Sequence, residues 1–440
     1  MIKKSLFFMM NGKIKENRLK SYILLFFTAF CMFFITGCSD KNEPPTNPEI
    51  PEQPENPGEP DTPENVTYEI LKEYSFGELK NVEKNLAGNA LVFPNIIGNQ
   101  AKYEGDVQMR AYKVMLKTDH PDGSAARINL SGLLIVPPSE NGRKYRQVIA
   151  PPYTYIMKNE APTLRIADDR LDPHLMFWLL EAYNYGYAVM IPDYPGFGDS
   201  YGQCFIPYLD KKAMVRTTSE YVEAARSVLE KEKYEKKDGF IISGYSLGAY
   251  VSLLLTHEFE TNASNNMDVD LLIVGGAPCN LLQEANMIRS SSTMPQPYLF
   301  PLALLGYKKN AYPHLRINDY LREPYASESA VYLDGEHDYW DFFTNNTSDL
   351  FTENFLKNNG MDGMNKILDD NSAKPWKNRC EFIMTHGLDD KTVYYEQAKD
   401  FADEQKKYGG SVSFGSTAGT HTDAGVWFFL RLYVELGNFN

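Results

Sequence analysis

The sequence predicts an α/β fold, a mostly parallel central sheet covered by helices on both faces. Short apolar segments rich in β-branched residues alternate with amphipathic helical segments along most of the chain, and that alternation is what βαβ units require. Several of the apolar segments are unbroken, as strands buried on both faces are. At 440 residues, 43% hydrophobic and 23% charged, the chain can fill one large domain or two smaller ones.

Taken in order, residues 76–86 have helical spacing, and 107–117 and 128–136 read as strands, the second closed by Pro137-Pro138. Residues 147–150 form a short buried strand, 176–185 a helix and 188–191 a strand. Residues 217–232 carry Glu and Lys outside an apolar stripe, so they are helical. A strand at 240–243 runs into a helix at 247–255, and a strand at 271–274 ends at Gly275-Gly276. Residues 280–377 break the alternation. They are rich in Tyr, Phe, Pro and Asn with no strand series, which predicts an inserted cap. Regularity returns with a strand at 382–385, a helix at 394–407, a strand at 411–414 and a helix at 424–436. The predicted α/β domain is thus residues 65–279 and 378–440.

The first 37 residues read as a leader. Lys3, Lys4, Lys13, Lys15, Arg18 and Lys20 precede an apolar run at 22–35 that is short for a membrane span. The run ends in Ile35-Thr36-Gly37-Cys38, which resembles the lipobox of bacterial lipoproteins. That resemblance implies acylation at Cys38 and anchoring to a membrane of the cell envelope; the acidic stretch after Ser39 resembles lipoproteins sent to the outer membrane. Within a linker at residues 38–64, the stretch from Pro44 to Pro63 places a proline at nearly every third position (Pro45, Pro48, Pro51, Pro54, Pro57, Pro60, Pro63). Polyproline II has three residues per turn, so this is a stiff spacer reaching about 60 Å. The net charge is −14 although the leader is basic. Such a surface repels phosphate backbones and argues against nucleic acid as a partner. Beyond Cys31 and Cys38 only Cys204, Cys279 and Cys380 remain, too few and too scattered for a metal site. They allow one disulfide and require none.

The chemistry centres on Gly244-Tyr245-Ser246-Leu247-Gly248. A lone G-x-S-x-G is weak, but this one joins the strand Phe240-Ile241-Ile242-Ser243 to a helix. In that context the turn lifts a serine Oγ to the top of the sheet and aims the next N–H, that of Leu247, at a forming oxyanion. A serine hydroxyl is a poor nucleophile without a base, so a histidine and an orienting acid are needed. There are seven histidines to choose from.

Upstream, Asp193-Tyr194-Pro195-Gly196-Phe197-Gly198 and Pro207-Tyr208-Leu209 precede the nucleophile. Together with Ser246 these segments resemble the secretory-lipase and lipase/esterase-like branch of the α/β-hydrolases, over about residues 105–275 and 380–437. The resemblance implies the order Ser, acid, His. His386-Gly387-Leu388-Asp389-Asp390-Lys391-Thr392-Val393 is similar to the family's H-G-x-x-D-x-x-V loop, which assigns Asp390 as the acid with Asp389 as its near competitor. His421 is the single histidine beyond it, between the last strand and the last helix, and is the implied base. His386 and Asp193 are expected to be structural.

One departure stands out. Where the family has His-Gly after the strand at 147–150, this chain has Pro151-Pro152-Tyr153-Thr154. Proline has no N–H to give. The second oxyanion donor then falls to the backbone of Tyr153 or Thr154.

These readings imply a serine hydrolase of carboxylic esters acting on a small-molecule or lipid ester through an acyl-enzyme, with no metal or organic cofactor. Two alternatives are a peptidase related to prolyl oligopeptidase, which shares the late acid loop, and a surface binding protein on the same fold, suggested by Pro151-Pro152. Phe300, Tyr307, Tyr320, Tyr325, Trp340, Phe342 and Phe343 could either line an acyl or aryl site or pack the cap's own core.

Overall fold

The computed structural model describes residues 66–87, 96–262 and 267–439. The readings on residues 1–64, Cys38 among them, lie outside the described residues. Nine strands follow one another along the chain: β1 (Val66–Tyr74), β2 (Met109–Asp119), β3 (Arg127–Val136), β4 (Lys144–Ile149), β5 (Tyr187–Pro192), β6 (Glu235–Tyr245), β7 (Val269–Gly275), β8 (Glu381–Gly387) and β9 (Ser413–Thr417). They form one sheet in the order β1-β2-β3-β5-β4-β6-β7-β8-β9. The run from β5 to β9 is parallel, and β1, β2 and β3 attach antiparallel at one side. The α/β class read from the sequence is the class observed.

The helices of the sheet layers are α1 (Phe76–Ala87), α2 (Pro162–Ala167), α3 (Pro173–Tyr185), α4 (Lys211–Lys231) and α5 (Leu247–Thr261). Between β7 and β8 run α6 (Leu281–Ser290), α7 (Leu299–Lys309), α8 (Tyr325–Tyr332), α9 (Thr347–Leu350), α10 (Glu353–Leu356) and α11 (Asp362–Asn371). After β8 come α12 (Tyr395–Lys407) and α13 (His421–Phe439). Helices α4, α5 and α12 bury their apolar sides on one face of the sheet, and α1, α3 and α13 on the other. Side chains of β7 divide accordingly, Leu272 and Val274 to the first face and Leu271 and Ile273 to the second.

Helix starts follow local chemistry. Asp172 caps α3 by accepting the Leu175 N–H at 2.9 Å, with Pro173 in the first turn. Asp210 does the same for α4 through Ala213 N–H at 3.0 Å. This cap starts α4 six residues before its apolar stripe becomes obvious at Thr217.

Three expectations need correction. The sequence reading placed nothing at β1, whose alternation is blurred by Glu69, Lys72 and Glu73 and by a register shift between Ile70 and Lys72. It is an edge strand, and charge there is how edges avoid pairing with other chains. Strand β6 begins at Glu235, because its polar first half lies outside the core. Helix α13 begins at His421 and not at residue 424. Thr420 and Asp423 form half of a capping box, the Asp423 carboxylate accepting the Thr420 N–H at 2.9 Å and its hydroxyl at 2.8 Å.

The segment between β7 and β8 contains no strand of the sheet among the described residues. Phe300, Tyr307, Tyr320 and Phe343 are buried in it, Phe300 packing on Phe351 and Phe355 at 5.3 and 4.8 Å between rings. Tyr325 and Phe342 are half-buried against the same core, so most of the aromatics pack the segment itself. Trp340, 60% exposed, lies at the segment's surface with its ring 5.8 Å from Tyr298 and from Tyr339. Cys204, Cys279 and Cys380 are all free thiols. Among the described residues no helix is long and apolar enough to cross a membrane, and no group of three or more His, Cys, Asp or Glu could hold a metal ion.

Candidate active site

Strand β6 ends at Tyr245 and α5 begins at Leu247, leaving Ser246 alone at the turn with φ 57° and ψ −120°. A non-glycine residue held there is strained, and such strain persists only where its surroundings enforce it. They do so here. The Ser246 N–H is held by the Gly275 carbonyl at 2.9 Å, and the Ser246 carbonyl accepts from Tyr250 N–H at 3.1 Å. A Cβ on Gly244 would collide with the Gly248 backbone, and one on Gly248 with the Pro151 carbonyl. The two glycines let strand, helix and the loop after β4 crowd around one serine.

The start of α13 and the loop after β8 converge on it. His421, the first residue of α13, sets Nε2 at 2.9 Å from Ser246 Oγ and Nδ1 at 2.6 Å from Asp390 Oδ2. A carboxylate only accepts, so Nδ1 carries the proton and the Nε2 lone pair faces the serine hydroxyl. The imidazole packs 5.1 Å from the ring of Tyr245, whose hydroxyl donates to the His421 carbonyl. Tyr245 in turn packs 5.4 Å from Phe428 of α13. His421 is 7% exposed and Ser246 half-buried.

Asp390 is fully buried. Its Oδ1 accepts the N–H groups of Thr392 and Val393 at 3.0 and 2.9 Å. Burial alone would raise its carboxyl, but His421 and His386 outweigh that and hold it well below the usual carboxylate range. His386 sits at 3.3 Å from Asp390 Oδ2 and donates through Nε2 to the Val393 carbonyl at 2.8 Å, bracing the acid loop from beneath. The neighbouring Asp389 is exposed and turns away, accepting from Gly419 N–H at 3.2 Å. Asp193 is far from this cluster in role: buried, it accepts from Ser131 Oγ, Thr163 Oγ1 and Thr163 N–H at 2.5, 2.5 and 3.0 Å, tying β3, α2 and the turn after β5 together.

Of the sequence-derived residues, the fold thus brings Ser246, His421 and Asp390 into one hydrogen-bonded chain. Leu247 N–H, at the start of α5, and the N–H groups of Tyr153 and Thr154 donate to no acceptor among the described residues. The loop bearing Tyr153 and Thr154 abuts the start of α5, since the Pro151 and Pro152 carbonyls are the atoms nearest Gly248. Sequence reasoning missed Tyr245, which braces His421, and Asp172, which accepts from the hydroxyls of Tyr153 and Tyr155 at 2.9 and 3.0 Å. Asp172-Pro173 is a helix-start signal that the reading, which began this helix at residue 176, passed over, and nothing in the sequence marks its tyrosine partners.

Among solved structures, the chain resembles a Legionella pneumophila protein classed as a hydrolase, at TM-score 0.70 and 19% identity over 86% of this chain and 98% of that one. It also resembles the rice cell wall degrading esterase LipA from Xanthomonas oryzae, at TM-score 0.67 and 19% identity over 84% and 96%. Candida antarctica lipase A aligns at TM-score 0.55 and 14% identity over 71% and 73%. At these identities the likeness is one of fold. Among curated protein sequences, none matches the chain. Residues 170–430, which hold Ser246, Asp390 and His421, match the model of the alpha/beta hydrolase family. With the strand order, the elbow and this match in agreement, the chain belongs to the alpha/beta hydrolase family.

Proposed function

We propose that this protein hydrolyses carboxylic esters through a Ser246–His421–Asp390 triad. The observation that carries the reading is the bridging imidazole of His421, 2.9 Å from Ser246 Oγ and 2.6 Å from Asp390 Oδ2. In this scheme Ser246 Oγ attacks the ester carbonyl carbon while its proton passes to His421 Nε2. The carbonyl electron pair moves onto oxygen, where the N–H groups of Leu247 and of Tyr153 or Thr154 stabilise it. Collapse breaks the bond to the alkoxy oxygen, which leaves with the proton from His421. Water then repeats the sequence on the acyl-serine, releasing the acid and restoring Ser246. Asp390 stays ionised throughout, fixing the imidazole tautomer and offsetting its positive charge.

The segment between β7 and β8 serves as a cap in this reading. It already touches the loop after β4, where Lys158 N–H donates to the Gly335 carbonyl at 2.8 Å. The test is turnover of p-nitrophenyl acetate and butyrate with covalent labelling by a fluorophosphonate. The wild type is expected to turn over and to label, and Ser246→Ala to lose labelling and about 10⁴-fold or more in kcat. Turnover that survives in Ser246→Ala would remove the serine from the mechanism. An enzyme that cleaves only aminoacyl-p-nitroanilides would move the reading to amides.

A further inference from the structure

The family's glycine turn after β4 is replaced here by Pro151-Pro152, yet the loop is not left to find its own shape. Each proline fixes its own φ. Tyr194 donates its hydroxyl to the Pro152 carbonyl at 2.8 Å. Tyr153 and Tyr155 both donate to the same oxygen, Asp172 Oδ2, at 2.9 and 3.0 Å, and their rings meet edge to face at 5.2 Å. Thr154 between them bonds to the Tyr208 hydroxyl at 2.9 Å. Two anchors at i and i+2 and a third at i+1 fix both the position and the roll of the peptide joining Tyr153 to Thr154.

The anchor is itself immobile. Asp172 is buried, caps α3 through its other oxygen, and has Arg165 Nε at 3.8 Å. Burial favours the neutral acid, but Arg165, His174 and the hydrogen bonds outweigh it, so Asp172 remains a carboxylate. Hydrogen bonds to a charged acceptor are about twice as strong as neutral ones, which suits a clamp.

We propose that Asp172, through Tyr153 and Tyr155, is the positioning residue of the oxyanion loop, doing with two phenol–carboxylate bonds what glycine backbone geometry does in relatives of this fold. The assignment rests on the ester-hydrolase reading above. Oxyanion stabilisation depends on donors that are in place before charge develops. A loop freed by removal of the clamp still binds substrate but meets the transition state badly.

The experiment compares the wild type with Tyr153→Phe/Tyr155→Phe, which keeps both rings and removes both hydroxyls, and with Asp172→Asn, which keeps an oxygen for the Leu175 cap. Purified full chains are assayed for kcat and KM on p-nitrophenyl butyrate, for inhibition by phenylboronic acid, whose serine adduct places an oxygen where the oxyanion forms, and for Tm. The double variant is expected to lose about tenfold to a hundredfold in kcat with KM within about twofold. Boronate affinity should fall in step, and Asp172→Asn should lie between. A folded double variant with wild-type kcat and boronate affinity overturns the positioning role and leaves the ester reading standing. Loss that tracks only Tm, with KM rising, overturns it as well. A wild type without ester turnover removes both.

Discussion

Asp389 and Asp390 are neighbours in the chain and opposites in the fold. Asp390 is buried, collects two backbone N–H groups and meets His421; Asp389 is exposed and its carboxylate accepts the Gly419 N–H. Under the proposed mechanism Asp390→Asn loses the tautomer control of His421, and kcat is expected to fall about 10³–10⁴-fold. Asp389→Asn should stay within about tenfold, because it loosens one hydrogen bond in the loop before His421. A steady-state assay of both variants decides; equal losses would return the acid to an open choice between the two. At this scale the motif spacing made Ser246, Asp390 and His421 legible, because each sits at the tip of an element whose local sequence dictates its turn. Pairings such as Tyr153 and Tyr155 with Asp172, or Tyr245 with the His421 carbonyl, join side chains from separate elements. No periodicity or spacing encodes which tyrosine reaches which carboxylate, so these had to be seen.

Most elements were legible because central strands and amphipathic helices carry strong patterns, while β1 and the ends of β6 and α13 depend on edge charge and capping. Helix α3 shows what a pattern conceals. Its sequence is apolar enough to be read as buried, and ten of its residues are. Two of them are His174 and Glu181, seven positions and so two turns apart, and among the described residues neither finds a hydrogen-bond partner of good geometry for any ring nitrogen or carboxylate oxygen. Burial raises the Glu181 carboxyl from its ordinary 4.5 to about 8. Between those values the folded chain keeps a proton that the unfolded chain releases, so stability falls as pH rises through that window. Burial lowers His174 from 6.5 to about 4, with Asp172 opposing. There the unfolded chain binds the proton, so stability falls as pH drops. The two slopes cancel between 4.5 and 6.5, leaving Glu181 in control above. Glu181→Gln removes that control. Its Tm should exceed the wild type's at pH 8 by several degrees, on the order of 4 kcal/mol, and by much less at pH 5. Thermal unfolding at both pH values checks this; an equal difference at both would show that burial does not raise the Glu181 carboxyl above its value in the unfolded chain.

At the scale of the whole molecule, the sequence runs from a cationic and apolar start through a proline-rich stretch to an acidic remainder. We propose that these divide anchoring from catalysis. The apolar run at 22–35 would be about 21 Å long as a helix, against about 30 Å of hydrocarbon in a bilayer, so it suits a cleaved leader better than a span. Acylation at Cys38 would then hold the chain to the membrane. In this proposal the body's net negative charge would be repelled by anionic headgroups within about 10 Å at moderate salt, and a spacer of about 60 Å would lift it well beyond that range. Two variants separate the parts. Cys38→Ser should move the protein out of the membrane fraction and abolish metabolic labelling by a palmitate analogue while turnover of p-nitrophenyl butyrate stays the same. Deletion of residues 44–64 should leave both membrane association and turnover of that soluble ester unchanged, since neither depends on distance from the surface. Retention of Cys38→Ser in membranes would mean that the apolar run remains and spans. A loss of soluble turnover on deleting 44–64 would mean that the proline segment docks on the catalytic body, and the spacer reading would fall.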